Sequence, residues 1–288
     1  MRRCLNLLLL ALTTLAAPAC TSLTLNPSGR IEPLSPALSD QLCCSPLLLA
    51  VFGREDDGPG GGGGGGGVIG AGSGIAVHER IILTASHVVP QSARWASLRS
   101  ADQPQQSQRS RRSSGVRIRS VIRGGGPAAS GGDWALLILD RPLSRQGITA
   151  APCLCAQNAP APPPGTPVLI AGYPFPEGKP PATESAVFSR TPVVVRTTLA
   201  APPPDARRND TFLYADYAAG RTDLSGLSGG PVFTVPEGGG GEPPVLIGIH
   251  IATGVTTFAS LTLNRSSLIR RVPTAEIERA IADLPPPR

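Results

Sequence analysis

Residues 223–233 read DLSGLSGGPVF, a glycine-framed turn that presents one serine and then enters an apolar strand. We interpret Ser228 as a candidate nucleophile, which needs a base within hydrogen-bond reach and donors for the oxyanion that forms on attack. Glycine at 226 lets the backbone bend so that the N–H groups of Gly226 and Ser228 point at one spot. The turn can therefore supply the oxyanion donors itself, and the base must come from elsewhere in the chain.

The composition favours strands and turns over long helices. The 288 residues include 34 Gly and 32 Pro, and both residue types are costly in helix interiors. Short apolar or alternating runs, separated by turn residues, occur at 47–52, 70–77, 81–89, 134–139, 165–174, 193–195, 245–251 and 256–263. One good helix is predicted near the C-terminus, capped by Thr274, with Ile277, Ile281 and Leu284 on one face. This pattern predicts an all-β barrel architecture, and two barrels fit the length.

Two segments are predicted to be exposed loops. The uninterrupted glycine run at 60–67 would order only at high entropic cost, which predicts a mobile loop. The stretch 97–114 is polar, Gln/Ser-rich and basic, and it precedes an alternating strand with Arg117 and Arg119 outward. We interpret these two arginines as a solvated face, with an acidic partner as the alternative.

The N-terminus has the pattern of a secretory signal over residues 1–19, with a charged start and an apolar middle. Two interpretations are open at its end: an ordinary cleavage site, or a lipoprotein signal in which Cys20 is lipidated and anchors the protein to a membrane. Residues 20–42 are then a tether and 43–288 the folded domain, with barrels at about 43–150 and 165–270. We expect an exported protein that is periplasmic, anchored to the outer membrane or secreted.

The charge balance does not indicate nucleic-acid binding. The formal net charge of +6 is modest, and part of it lies at Arg2 and Arg3 in the signal. Such a surface attracts acidic partners weakly.

The choice of a base is narrow because the chain has only three histidines, His78, His87 and His250. His78 lies in a polar turn, whereas His87 follows a strand whose small last residues would leave its imidazole open to a cleft. Asp133 begins a wholly apolar strand, where a carboxylate needs a partner. A neutral His87 can take the proton of Ser228, and an ionised Asp133 can hold the other ring nitrogen in the required tautomer.

Three segments carry a family resemblance: LTASHV at 83–88, DWALL at 133–137 and GLSGGP at 226–231. In order, they resemble the His, Asp and Ser motifs of trypsin-like serine proteases of the chymotrypsin fold. The resemblance spans about residues 47–284. It implies two six-stranded antiparallel barrels with the active site between them, polypeptide substrates, and no cofactor or metal.

Departures from animal digestive relatives point to bacterial-type members. Those relatives carry an aspartate just before the nucleophile that pairs with a newly cut N-terminus, and Leu227 cannot make that pair. The resemblance therefore implies no activating cleavage. The segment just before His87 has no cysteine, so the disulfide that braces this loop in animal members is absent. Ile251 stands where the family has a small polar residue that contacts the catalytic aspartate.

The resemblance also implies a substrate pocket, formed by the five residues Thr222, Asp223, His250, Ile251 and Thr253. His250 lies where glutamate-specific members bind a carboxylate, which suggests acidic substrate side chains. Asp223 suggests basic ones by charge complementarity. A third interpretation makes His250 a packed histidine of the return strand.

The cysteines are compatible with export. Cys4 leaves with the signal and Cys20 is the candidate lipid site, which leaves Cys43, Cys44, Cys153 and Cys155. Four cysteines allow three complete pairings, and the resemblance implies one or two bridges between the two clusters. Their spacing does not match the usual zinc sites.

These observations predict an exported serine endopeptidase that acts through His87, Asp133 and Ser228, with backbone donors at Gly226 and Ser228. The alternative is a catalytically weak peptide-binding protein on the same fold. Oligomeric state and natural substrate are not predicted.

Overall fold

A computed structural model describes residues 30–42, 46–53, 68–101, 115–124, 132–146, 148, 160–175, 187, 190–202, 212–216, 225–235, 244–254, 257–258, 261–262 and 266–285. Several predictions lie outside these residues: the signal at 1–19, Cys20, the glycine run at 60–67, the four cysteines 43, 44, 153 and 155, and the pocket residues Thr222 and Asp223.

The first strand, β1 (Arg30–Pro33), is short and precedes the strands of the two barrels. Those of the first barrel are β2 (Pro46–Phe52), β3 (Gly70–His78), β4 (Ile81–Thr84), β5 (Trp95–Ser100), β6 (Val116–Arg123) and β7 (Ala135–Leu139). They form a closed barrel in the order β2-β3-β4-β7-β6-β5, and every pairing is antiparallel.

The second barrel is built from β8 (Pro167–Gly172), β9 (Val193–Ala200), β10 (Phe212–Asp216), β11 (Pro231–Thr234), β12 (Val245–Gly254) and β15 (Ser266–Arg271). The sheet runs β9-β10-β15-β12-β11-β8, and the additional pairing of β8 with β9 returns it to its starting strand. Two two-residue strands, β13 (Thr257–Phe258) and β14 (Leu261–Thr262), form a separate hairpin where one strand was predicted. The prediction of two six-stranded antiparallel barrels is confirmed.

The hydrophobic core has one part inside each barrel and two parts that join residues of both barrels. The cluster between the barrels joins Ile75, Leu83 and Leu136 of the first barrel to Leu169 and Phe233 of the second. Strands β4 and β7 are therefore buried at every position, with one face inside the first barrel and the other against the second. This two-sided burial explains why their sequences are continuously apolar instead of alternating.

Residues 30–42 correct the predicted tether, because they contain β1 and a helix, α1 (Pro36–Gln41). Strand β1 extends the second barrel by pairing with β9, from Arg30 opposite Arg196 to Pro33 opposite Val193. Ser35 caps α1 by accepting a hydrogen bond from the N–H of Leu38 at 3.2 Å. Both elements are too short to show a period in the sequence.

The C-terminal helix α2 (Thr274–Ala282) has the predicted apolar face. Ile277 is buried, and Ile281 and Leu284 pack against the cluster between the barrels. The predicted cap is wrong: the hydroxyl of Thr274 donates to the carbonyl of Val272 at 3.4 Å and caps no helical N–H. Within the described residues, no helix is long and apolar enough to cross a membrane.

The predicted exposed loop at 97–114 begins too early. Residues 97–100 belong to β5, where Ser97 and Ser100 are buried. Their small side chains pack in a barrel although their polarity is typical of loops. Strands β10 and β15 were also not predicted.

Candidate active site

His87 and Asp133 are brought together by the pairing of β4 with β7. His87 lies in a 3-10 turn (Ser86–Val88) just after β4, and Asp133 lies just before β7. Because the strands are antiparallel, with Thr84 opposite Ala135, the end of one meets the beginning of the other. The register therefore places the two side chains at the same edge of the first barrel.

Two hydrogen bonds join these residues. The N–H of His87 donates to Asp133 Oδ1 at 3.0 Å, and His87 Nδ1 lies 2.8 Å from Asp133 Oδ2. Burial by itself would raise the pKa of Asp133, but the hydrogen bonds and charge of His87 and the N–H of Ser86 outweigh it and lower that pKa below 3.8. An ionised Asp133 accepts a hydrogen bond from Nδ1–H, which leaves Nε2 of the neutral ring as the proton acceptor.

Arg123 braces the segment that carries His87. Its guanidinium donates to the carbonyl and hydroxyl of Ser86, both at 3.1 Å, and to the carbonyl of Pro90 at 3.0 Å. These bonds span residues 86–90, on both sides of His87. A pocket of about 510 Å³ lies beside the His87–Asp133 pair, and Arg123 lines it.

Ser228 lies on the turn that leads into β11, with a glycine of positive φ on either side. Gly226 has φ +90° and Gly229 has φ +84°, values that side chains rarely tolerate. A Cβ on Gly226 would lie 2.4 Å from the carbonyl oxygen of Tyr173, and one on Gly229 would lie 2.2 Å from that of Ser73. Both positions are therefore restricted to glycine by conformation and by space.

The N–H groups of Gly226 and Ser228 are available as donors. The N–H of Phe175 donates to the carbonyl of Ser225 at 2.5 Å. The N–H of Gly226, on the opposite side of the same planar peptide, therefore points away from Phe175. Neither it nor the N–H of Ser228 donates to a backbone carbonyl within the described part of the chain.

Ser73, from β3 of the first barrel, holds this turn across the barrel interface. Its hydroxyl donates to the carbonyl of Gly226 at 2.7 Å and accepts from the N–H of Tyr173 at 2.9 Å. Its own N–H donates to the carbonyl of Ser228 at 2.9 Å. Thr84 in turn donates to the carbonyl of Ser73 at 2.7 Å. One fully buried serine thus fixes the carbonyls on both sides of Leu227.

The structure joins the acid to the base but not the base to the nucleophile. The hydroxyl of Ser228 donates to the carbonyl of Ile251 at 3.2 Å, and among the described residues it forms no hydrogen bond with His87. Attack would require the Ser228 side chain to rotate away from Ile251.

A family model of the trypsin-like peptidase domain matches residues 72–239, more than half of the chain. The chain belongs to the trypsin-like peptidase family. No curated protein matches it.

Solved structures with the same fold are distant in sequence. Human heparin binding protein superposes with a TM-score of 0.54 at 20% identity, covering 90% of this chain and 97% of the other. A scabies mite inactivated protease paralogue gives 0.54 at 16% identity, covering 83% and 94%. These likenesses show the fold of this trypsin-like peptidase and no more.

Leu227 is fully buried in the core of the second barrel, with Ile170 and Val232. In this trypsin-like peptidase an apolar anchor therefore occupies the position just before the candidate nucleophile, Ser228.

His250 is buried beneath the turn that carries Ser228. Its carbonyl accepts from the N–H of Gly229 at 2.7 Å, and its N–H donates to the carbonyl of Gly230 at 2.8 Å. Burial lowers the pKa of His250 to about 4; a backbone hydrogen bond with Leu227 opposes this shift and the charge of His87 adds to it. The imidazole is therefore neutral near pH 7.

The predicted substrate pocket stays a prediction. His250 and Ile251 are both 1% exposed, Thr253 lies in β12, and Thr222 and Asp223 are outside the described residues. Among the described residues, no group of three or more His, Cys, Asp or Glu side chains could hold a metal ion.

Sequence reasoning missed Ser73 and Arg123 as supports of the site. The glycines on both sides of Ser73 were the one available signal, since they permit close approach of another backbone. For Arg123 the sequence offers no comparable signal.

Proposed function

We propose that this trypsin-like peptidase is an exported serine endopeptidase that hydrolyses polypeptides through an acyl-enzyme on Ser228. The observation that carries the proposal is the 2.8 Å contact of His87 Nδ1 with a buried, ionised Asp133. This contact leaves Nε2 facing outward on a half-exposed ring, where it can serve as a general base.

The chemistry follows from the positions of these groups. Ser228 Oγ attacks the scissile carbonyl carbon while its proton passes to His87 Nε2. The oxyanion of the tetrahedral intermediate accepts hydrogen bonds from the N–H groups of Gly226 and Ser228. Protonated His87 then gives its proton to the departing amine, which leaves an ester on Ser228. Water, deprotonated by His87, hydrolyses that ester and restores the enzyme.

A second candidate is a catalytically weak peptide-binding protein. It is favoured by the hydrogen bond from Ser228 to the carbonyl of Ile251, which turns the hydroxyl away from His87. One protein of similar fold is described as an inactivated protease paralogue. Resting catalytic contacts are often loose before substrate binds, however, and both the triad residues and the oxyanion donors are intact.

Labelling by a fluorophosphonate probe separates the two candidates. The peptidase should form a covalent adduct at Ser228, located by mass spectrometry of the digested protein. Ser228→Ala should abolish the adduct and His87→Ala should slow its formation severely. A folded wild-type protein that stays unlabelled, while peptides still bind it, would establish the second candidate instead.

Side-chain specificity is proposed as two alternatives with opposite outcomes. Cleavage after basic residues in a peptide library would assign recognition to Asp223, and cleavage after acidic residues would assign it to His250. If the wild type cleaves after basic residues, Asp223→Ser should abolish that preference and His250→Gln should not; if it cleaves after acidic residues, the effects of the two variants should be reversed.

Export, lipidation and disulfides are proposals that rest on the sequence. The mass of the mature N-terminus should show cleavage before Cys20 with an added diacylglycerol, or cleavage alone. An uncut Met1 would contradict export. Peptide mapping without reductant should show Cys43 or Cys44 linked to Cys153 or Cys155.

A further inference from the structure

An arginine-rich groove of about 1110 Å³ lies on the outer surface of the first barrel. Among the residues that the structure describes, its lining includes seven arginines and one carboxylate, that of Asp140. We call it the arginine groove. The excess of positive charge on this one surface is therefore as large as the formal net charge of the whole chain, which is +6.

The arginines come from four separate segments. Strand β6 contributes Arg117 and Arg119, which are exposed as its alternation predicts, and Arg123 at its end. The remaining four lie in segments between strands: Arg80, Arg94, Arg141 and Arg145. A solvated strand face accounts for the first two arginines. A solvated strand face does not explain why three other segments also place arginines in the same groove.

Two of the arginines are held in fixed positions by neutral groups. Arg80 is only 5% exposed and donates to the carbonyls of Leu139 and Pro285 at 3.4 and 2.9 Å. Arg123 donates to Ser86 and Pro90, as described above. Carbonyl and hydroxyl acceptors orient these guanidinium groups without cancelling their charge. Fixed positive charges lose little side-chain freedom when an anion binds.

The groove continues into the catalytic cleft. Gln91 and Arg123 line both the arginine groove and the pocket beside His87 and Asp133. A polypeptide that lies across the catalytic pair therefore reaches the arginines directly. This continuity favours the substrate chain itself over a separate polyanion as the occupant.

We propose that the arginine groove binds an acidic segment of the polypeptide that the enzyme cleaves, at a distance from the scissile bond. The proposal rests on the proposed peptidase function. The planar guanidinium forms paired hydrogen bonds with carboxylates, and several such contacts act together along an extended chain. Each exposed contact is weak and screened by salt, so recognition depends on their number.

Direct binding can be measured without catalysis in the full-length Ser228→Ala protein. Fluorescein-labelled decaglutamate should bind more tightly than labelled decaglutamine by fluorescence anisotropy, and its affinity should fall about tenfold between roughly 50 and 300 mM NaCl. Arg119→Glu should weaken decaglutamate binding about fivefold. Arg279→Glu is the matched control: it makes the same charge change at an exposed site outside the groove lining, and should weaken binding less than about twofold.

A kinetic comparison ties the groove to the reaction. In the wild type, a cleaved peptide extended by five glutamates should have a lower KM than the same peptide extended by five glutamines, with similar kcat. Arg119→Glu should reduce that difference in KM about fivefold, whereas the control Arg279→Glu, outside the groove lining, should leave it unchanged.

Three outcomes would overturn the proposal. Decaglutamate could bind no more tightly than decaglutamine, Arg279→Glu could weaken binding as much as Arg119→Glu, or dextran sulfate could bind where decaglutamate does not. The last outcome would assign the groove to a sulfated polysaccharide. Failure of fluorophosphonate labelling with intact decaglutamate binding would instead remove the peptidase and leave the groove as an acidic-peptide site.

Discussion

In the candidate active site, the half that contains His87 (the base half) and the half that contains Ser228 (the nucleophile half) are held by different kinds of interaction. His87 is fixed by side-chain groups of its own barrel: the carboxylate of Asp133 and the guanidinium of Arg123 hold it and its segment. Ser228 is fixed by backbone shape, between two glycines of positive φ, and by Ser73 from the opposite barrel.

Because of this difference, the two halves require different parts of the fold to be in place. The base half needs only the register of β4 with β7. The nucleophile half needs the two barrels to dock, because the bonds of Ser73 to Gly226 and Ser228 cross the interface. Changes at the base half should therefore act through charge, and changes at the nucleophile half should act through geometry.

The largest expected effect is at the base half. Asp133→Asn should lower kcat/KM by about 10⁴-fold, because an amide at this position favours the wrong tautomer of His87. Steady-state cleavage of a peptide substrate measures it. Asp140→Asn, which removes the same charge from an exposed site, should retain nearly wild-type kcat/KM; an equal loss there would contradict the charge argument.

As the pH falls, the protein should first lose stability through His250, which lies beneath the turn that carries Ser228. The folded pKa of His250 is about 4, below its ordinary 6.5, so below pH 6.5 the unfolded chain takes up the proton first. The free energy of unfolding should fall by about 3 kcal/mol as the pH drops from 6.5 to 4. His87 holds the pKa of Asp133 below its ordinary value in the folded state, so the contribution of Asp133 is lost only at lower pH.

Urea denaturation at about pH 7, 5.5 and 4.5 tests this order of loss. His250→Gln should flatten the decline between these values, and His78→Gln, which changes a partly exposed histidine, should flatten it less. A wild-type stability that stays constant down to pH 4.5 would show that His250 is not buried in its neutral form.

The geometric support of the nucleophile half is tested by Ser73→Ala. Without its hydroxyl the carbonyl of Gly226 loses its donor, so the turn should loosen and kcat should fall about ten- to hundredfold with little change in KM. Ser97→Ala removes a hydroxyl that is equally buried but forms no hydrogen bond with the described part of the chain. A similar loss of kcat in Ser97→Ala would mean that general packing, and not the turn, is responsible.

The smallest expected effect concerns the brace on the base half. Arg123→Gln removes hydrogen bonds to Ser86 and Pro90 and should lower the free energy of unfolding by about 1–3 kcal/mol. Amide exchange in residues 86–90 should accelerate as well. Arg119→Gln, an exposed change on the same strand, should leave both quantities unchanged, and equal effects in the two variants would rule out the brace.

The candidate catalytic residues could be selected from the sequence because each belongs to a local motif with few competitors. Three histidines offered one suitable base, and an acid at the mouth of an apolar strand needed a partner. Ser73 could not be predicted, since it acts on Gly226, which lies 153 positions away in the chain. The orientation of the Ser228 hydroxyl is likewise a property of packing and not of any motif.

The fold was predictable where burial is strong and unclear where elements are short or polar. Continuous apolar runs marked β4 and β7 because both faces of each strand are buried. Strand β5 was missed because Ser97 and Ser100 are buried although their residue type is typical of loops. Strand β1 and helix α1 were missed because neither is long enough to establish a period.

The pairing of β1 with β9 fixes Arg30 to the second barrel, and this limits how far the folded domain could lie from a membrane if the protein is lipidated. If a lipid is attached to Cys20, ten residue steps separate it from Arg30, and a fully extended chain of that length reaches about 35 Å at most. A compact domain of this size is roughly 45 Å across. The tether would be shorter than the domain it holds, so a lipidated enzyme would work only on proteins within the layer next to the bilayer surface.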